Sequence, residues 1–247
     1  MAERIGDRMW SLQGEKVTLP VEITSARLTA AVFTTRTKDA ASVLAGTPLR
    51  PFSLFGRAFS MIMCIHYDEF ALKSYDEVGV GVLVRGPAGP PGLHLVDLPV
   101  TGAFTREAGQ DFWGLPKWLM DAELRFSKME TDVVVRDRAT EVMRASFRHG
   151  RLRLPFAVQA ALPALSYLDH GAQAGKLLRG QVPMQLSGAR LGRGAFRVRL
   201  TGDHPMAERM RALGMTRKPF LTVHADRLHG PLDEFTEVGS ARQRVEG

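Results

Sequence analysis

The sequence predicts a mainly β protein of the α+β class, with a few short helices. Three observations carry that reading. Apolar and polar residues alternate over short runs, the stretches polar enough for helices are brief, and glycine or proline closes them. Residues 122–126 (AELRF), 143–147 (MRASF) and Phe196–Leu200 (FRVRL) show the period of two that a strand half-buried against a core requires. Such runs are signatures of antiparallel sheet.

The elements follow in order. Residues 27–35 (RLTAAVFTT), rich in β-branched and small side chains, read as a strand, and residues 38–44 as a short helix ended by Gly46 and Pro48. Residues 59–67 are apolar almost throughout, the pattern of a strand buried on both faces. Residues 78–84 (VGVGVLV) and 93–100 are two more strands, joined through RGPAGPPG, which forms a hairpin connection rather than a domain boundary. Residues 101–112 suit a short helix that Gly114 and Pro116 forbid from continuing, and Lys117 follows that break. Residues 206–213 suit another helix, 219–225 a last strand, and 240–247 a charged, frayed tail. With no internal repeat and no linker, residues 1–247 read as one domain.

The composition narrows the class of function. Hydrophobic residues make up 45% and charged residues 24% of 247 residues, the balance of an ordinary folded protein with a sizeable core. Cys64 is the one cysteine, so no disulfide forms within the chain, and a reducing cytoplasm fits best. No run of 18 apolar residues and no apolar leader directs the chain to a membrane. The net charge of +7 invites a nucleic-acid reading. However, Arg144, Arg148, Arg151, Arg153, Arg193, Arg197 and Arg199 are interleaved with apolar residues at strand spacing, as on a solvated sheet face, so no nucleic-acid partner is expected. An attraction for anionic substrates remains. The seven histidines show no HxH or HxxxH pair, so no metal site is expected. His66 reads as a satisfied core histidine, and Gly79-Val80-Gly81 lies inside a strand and is no dinucleotide fingerprint.

Residues 109–120 (GQDFWGLPKWLM) carry the chemistry. One lysine, Lys117, stands among Phe112, Trp113, Leu115, Trp118, Leu119 and Met120. A lysine after a proline is ordinarily a surface residue; held among aromatic groups, its charged form is penalised and its amine becomes a nucleophile. Pro116 delivers Lys117 in a rigid, non-helical segment. Trp113 and Trp118 read equally as core residues and as walls of a pocket.

This segment resembles that of the acetoacetate decarboxylase family. There, a Schiff-base lysine lies in a Gly-Arg-Glu, spacer, aromatic-Pro-Lys-Lys pattern after a short helix. Gly109-Gln110-Asp111 and Leu115-Pro116-Lys117 stand in those places, and Met61-Ile62-Met63-Cys64-Ile65-His66 followed by Tyr75-Asp76-Glu77 is similar to the family's strand and its Tyr-x-Glu element. Weaker likeness runs through Arg36-Thr37-Lys38-Asp39 and Asp203-His204-Pro205-Met206 in unbroken order. The resemblance implies an antiparallel β-barrel or cone, a homo-oligomer, and a small keto-acid substrate handled without metal or cofactor. It implies Lys117 as the Schiff-base lysine and Glu77 as a glutamate at the reacting centre. It also implies Arg27, offset by about one residue, as the nearest counterpart of an arginine that holds the substrate carboxylate. Two departures stand out. Trp118 replaces the family's second lysine, and a glutamate aligning near Met61 is missing, so Met61, Trp113 and Trp118 are candidate substrate contacts in a greasier pocket.

Three functions remain open on the sequence. The first is decarboxylation of a 3-oxo acid through Lys117. The second is aldol or dehydration chemistry on a 2-oxo acid such as pyruvate through the same lysine, and the third is a small-molecule-binding relative without catalysis.

Overall fold

The computed structural model describes residues 2–193 and 195–238. An N-terminal meander, β1 (Glu3–Gly6), β2 (Met9–Leu12) and β3 (Glu15–Thr18), leads into the long strand β4 (Val21–Arg36) and helix α1 (Thr37–Val43). Two short pieces, β5 (Arg50–Pro51) and β6 (Ser53–Leu54), precede β7 (Arg57–Phe70), β8 (Tyr75–Arg85) and β9 (Gly92–Val100). Helix α2 (Ala103–Trp113) ends at Gly114 in the left-handed conformation, the usual helix stop, and β10 (Lys117–Leu119) follows. A second run of strands comprises β11 (Asp121–Phe126), β12 (Glu130–Asp137), β13 (Thr140–Arg148), β14 (Leu152–Arg153), β15 (Val158–Tyr167), β16 (Leu177–Ser187), β17 (Arg190–Gly192) and β18 (Phe196–Leu200). Helix α3 (Pro205–Ala212), β19 (Leu221–Leu232) and β20 (Thr236–Glu237) complete the order.

Seven strands close a barrel in the order β19-β4-β7-β8-β9-β15-β16, with β16 returning to β19 through Gln185–His229, Leu186–Leu228 and Ser187–Arg227. Neighbours are antiparallel except β9 and β15, which meet at one parallel pair, Ala164 and Leu93. Near the other end of β9, β10 takes its side in parallel, pairing Lys117 with Leu98. Bulges in β4 between Ile23 and Ala26 bend the wall, as closure of a small barrel requires.

The wall has two faces, and β8 shows why VGVGVLV suits it. Val78, Val80, Val82 and Val84 are all fully buried on the outer face, against β11, β12, β13 and β18, which form a separate four-stranded sheet, and against α1 and α3. Glu77, Gly79 and Gly81 alternate with them and face the lumen. Residues from all seven barrel strands, among them Leu28, Ile65, Val100, Val158, Leu186 and Leu228, meet in that lumen. A third cluster joins the meander to α2 through Leu12, Val17, Phe104, Phe112, Trp113 and Leu178.

Between the outer face and the flanking sheet, His149 and His224 stack with ring centroids 3.6 Å apart, both buried. Thr29 and Thr131, 2.8 Å apart, link them, each 2.9 Å from a ring nitrogen. Burial, reinforced by the neighbouring imidazole, holds His149 down to about 4, and burial also lowers His224.

Most elements match the sequence reading, with longer barrel strands. Residues 27–35 extend to Val21–Arg36 and residues 219–225 to Leu221–Leu232. The meander, β12, β15 and β16 went unread. Pro163, Gly180 and Pro183 interrupt the β pattern of β15 and β16, which the barrel tolerates because both strands are paired along their length. His66 is a correction. It is partly exposed on the outer face, with Nδ1 2.6 Å from Asp76 and Nε2 3.3 Å from Asp68. The predicted tail at 240–247 lies outside the described residues. Among the described residues no helix is long and apolar enough to cross a membrane.

Candidate active site

Lys117 and Glu77 come together in the lumen from elements far apart in sequence. Glu77 lies on β8, opposite Ile65 and Val100, and both of these face the lumen. Lys117 shares the row of Leu98, one strand further round the wall. Its Nζ lies 2.9 Å from Glu77 Oε2, and the side chains are 3% and 6% exposed, so water hardly reaches the pair. The Nζ also donates to Thr105 Oγ1 on α2 at 3.0 Å and to the Tyr75 hydroxyl at 3.3 Å. Three N–H groups therefore meet three oxygens, which satisfies a buried ammonium in full.

Glu77 is held as firmly. Tyr67 donates to Oε1 and Tyr75 to Oε2, each at 3.3 Å, and the two phenol rings stack with centroids 4.4 Å apart. Burial, and next the charge of Glu77, pushes both phenols well above their usual range, so they stay protonated donors. The Lys117 ammonium also sits 5.0 Å from the Tyr75 ring centroid.

Local sequence explains the aim of the lysine. Lys117 N–H donates to the Leu115 carbonyl at 2.7 Å across Pro116, and Gln110 Nε2 donates to the Lys117 carbonyl at 2.7 Å. The lysine stem lies flat on Gly109. A Cβ there would fall 2.6 Å from Lys117 Cε and nearer still to Cδ, so only a residue without a side chain leaves the stem its place.

The expected apolar enclosure is corrected by these contacts, because the amine's nearest partners are a carboxylate and two hydroxyls. Phe112 and Trp113 point to the meander, and Trp113 Nε1 donates to the Asp233 carbonyl; Trp113 is a core residue, away from the amine. Trp118, one residue on along a strand, faces outward, where its ring lies 5.2 Å from that of His204 and its indole bonds Asp97. It lines a cleft of about 440 Å³ with His94, Asp97 and Arg209, which Pro116 and Lys117 also line.

Arg27 is corrected too. It pairs with His66 and stands on the outer face, bound to Asp68 at 2.9 Å and 5.2 Å from the Phe126 ring centroid, while Leu28 takes the lumen row of Glu77. The one-residue offset did reverse the face. Met61 faces the lumen but sits four residues from Ile65, roughly 13 Å along the strand from the row of Glu77. The nearer methionine is Met63. Thr105, Gly109 and Met63 went unread as site residues; Gly109 and Met63 sat in quoted motifs, whereas Thr105 carries no local signal.

Fold and site together define a class: a closed β-barrel that buries one primary amine against a carboxylate in its lumen. The chain belongs to the acetoacetate decarboxylase (ADC) family, whose sequence model matches residues 13–225. No protein of curated function matches the chain in sequence. In structure it is similar to acetoacetate decarboxylase from Legionella pneumophila, with TM-score 0.70 and 14% identity over 89% of this chain and 87% of that one. It is also similar to a structure described as acetoacetate decarboxylase (TM-score 0.64, 16% identity, 89% of each chain). A third likeness is the enduracididine biosynthesis enzyme MppR, complexed with the condensation product of pyruvate and imidazole 4-carboxaldehyde (TM-score 0.66, 13% identity, 91% of this chain and 92% of that one). At such identities the likeness is one of fold.

Proposed function

We propose that the protein is a Schiff-base-forming lyase of a small keto acid, with Lys117 as nucleophile and Glu77 as its proton partner. The supporting observation is the desolvated 2.9 Å contact between them, held by two tyrosines and a threonine. Glu77 accepts a proton from the ammonium, and the neutral amine attacks the ketone of a 3-oxo acid. Loss of water leaves an iminium. The bond to the carboxylate breaks, its electrons pass to the iminium nitrogen, and carbon dioxide leaves. Protonation of the enamine carbon and hydrolysis then return a ketone and the amine. These steps need no group beyond the side chains present.

A second reading uses the enamine for condensation or dehydration on a 2-oxo acid such as pyruvate. The MppR structure with a pyruvate condensation product supports this reading. A homo-oligomer in a reducing cytoplasm belongs to this proposal, given the buried thiol of Cys64 and the exposed Phe55 and Phe220.

Borohydride reduction with excess acetoacetate or pyruvate tests the proposal. The expected result is a mass increase located on Lys117 and absent in Lys117→Ala, with trapping slowed about a hundredfold in Glu77→Gln. Carbon dioxide from acetoacetate marks the first reading, and condensation of pyruvate with an aldehyde the second. A chain that never gains mass at Lys117 is a binding protein instead.

A further inference from the structure

Lys117 shares a lateral row with a residue that the sequence did not single out. Across the wall, Ala30 pairs with Met63 and Met63 with Gly79. Leu98 falls opposite Gly79, between the Glu77–Val100 and Val80–Asp97 pairs, and Lys117 pairs with Leu98. All five residues face the lumen. Because Gly79 has no side chain, the Met63 thioether lies across it. A Cβ on Gly79 would fall 2.5 Å from Met63 Cε, 3.0 Å from Cγ and 3.3 Å from Leu98 Cδ1. The methionine therefore fills the space above a glycine two residues from Glu77.

Exposure changes sharply along this row. Met63 is partly exposed, whereas Leu98 is 1%, Lys117 4% and neighbouring Ile65 6% exposed. Met63 thus has solvent contact that its row neighbours lack. The next row along the wall holds Val32, Met61 and Leu95, all partly exposed and apolar. Methionine is unbranched and turns about three side-chain bonds, so its end can leave the glycine shelf without any movement of the wall.

We propose that Met63 determines which keto acids reach Lys117. Its thioether occupies the place that the substrate's alkyl substituent takes over Gly79, so the site admits straight, short-chain oxo acids and rejects longer ones. This rests on the Schiff-base reading of Lys117, and its test has one arm that needs no turnover.

In that arm, reductive methylation with formaldehyde and cyanoborohydride is followed at Lys117 by peptide mass, with the exposed Lys73 as internal reference. Met63→Ala is expected to raise the Lys117 rate about tenfold relative to Lys73, and Met63→Leu, which keeps the bulk, to leave it near wild type. In the second arm, borohydride trapping is compared for straight-chain 3-oxo acids of four, six and eight carbons. Met63→Ala should accept the longer acids about tenfold better relative to the shortest. An unchanged methylation rate overturns the assignment, as does an unchanged chain-length profile, or an equal gain in Met63→Leu. Faster methylation in Trp118→Ala but not in Met63→Ala would place the entrance in the outer cleft and overturn it as well. If no oxo acid is trapped by any variant while Met63→Ala still speeds methylation, the Schiff-base reading fails and the control of access by Met63 stands.

Discussion

Asp76 and Glu77 are neighbours on one strand, yet they belong to different electrostatic worlds. Asp76 faces outward and joins His66, Asp68 and Arg27 in a solvent-facing polar group. Glu77 faces the lumen and meets one ammonium and two phenols, almost without water. Exposed pairs contribute little, because water screens them and mobile side chains lose entropy on pairing. A buried pair is different, since removal of either partner strands the other charge, at about 3–5 kcal/mol. What matters for chemistry is therefore the face of the wall, and only secondarily the residue type.

The largest effect that can break this comparison comes from Gly109→Ala. The added methyl pushes the Lys117 stem off α2 and separates Nζ from Glu77 and Thr105. Trapping at Lys117 should fall about a hundredfold, the scale of an ångström-sized misplacement. Stability should fall far less, by about 1–2 kcal/mol, because better helix propensity offsets part of the overpacking. Urea melts beside trapping rates check this; equal, small losses in both would mean that the stem has room.

A middle-sized effect belongs to the outer face, where the wall is also dry. His149, held down to about 4, and His224, also lowered, stay neutral in the fold, with Asp226 3.1 Å from His224 and Arg190 close by. Unfolded histidines take up protons from about 6.5 downward, so between there and about 4 the unfolded chain binds more protons. This contribution is complete above about pH 6.5 and is lost as pH falls towards 4. Urea midpoints should drop across that window, and His149→Gln should flatten the slope; identical slopes would remove the stacked pair from the account.

The smallest effect is expected of Arg27→Ala. Its bond to Asp68 is exposed on both sides, 37% and 36%, so stability should change by less than about 1 kcal/mol. Trapping at Lys117 should not change at all. A large loss of trapping would return Arg27 to the substrate and reverse the assignment of faces.

Much of this was legible in the chain. Alternation marked the strands, Gly114 and Pro116 marked the end of α2 and the entry to Lys117, and the ordered likeness around Gly109, Lys117 and Glu77 pointed to the family. Those signals are local, because backbone preference and side-chain period act within a few residues. Arg27, Met61 and Trp113, expected as substrate contacts, stand apart from the amine, and Trp118 shares only the outer cleft with Lys117, for the complementary reason. On a strand, consecutive residues point to opposite faces, and which face becomes the lumen depends on register, bulges and closure between strands far apart in sequence.

Residue order alone thus marked many of the sheet elements and the rigid approach to Lys117, and its likeness to the family singled out Glu77. Only the closed wall decided that hydroxyls of Thr105 and Tyr75 surround the amine, that Arg27 stands outside, and that Met63 shares the lysine's row. Each of these is a meeting of side chains brought together by strand pairing and helix packing, and no local pattern encodes such a meeting.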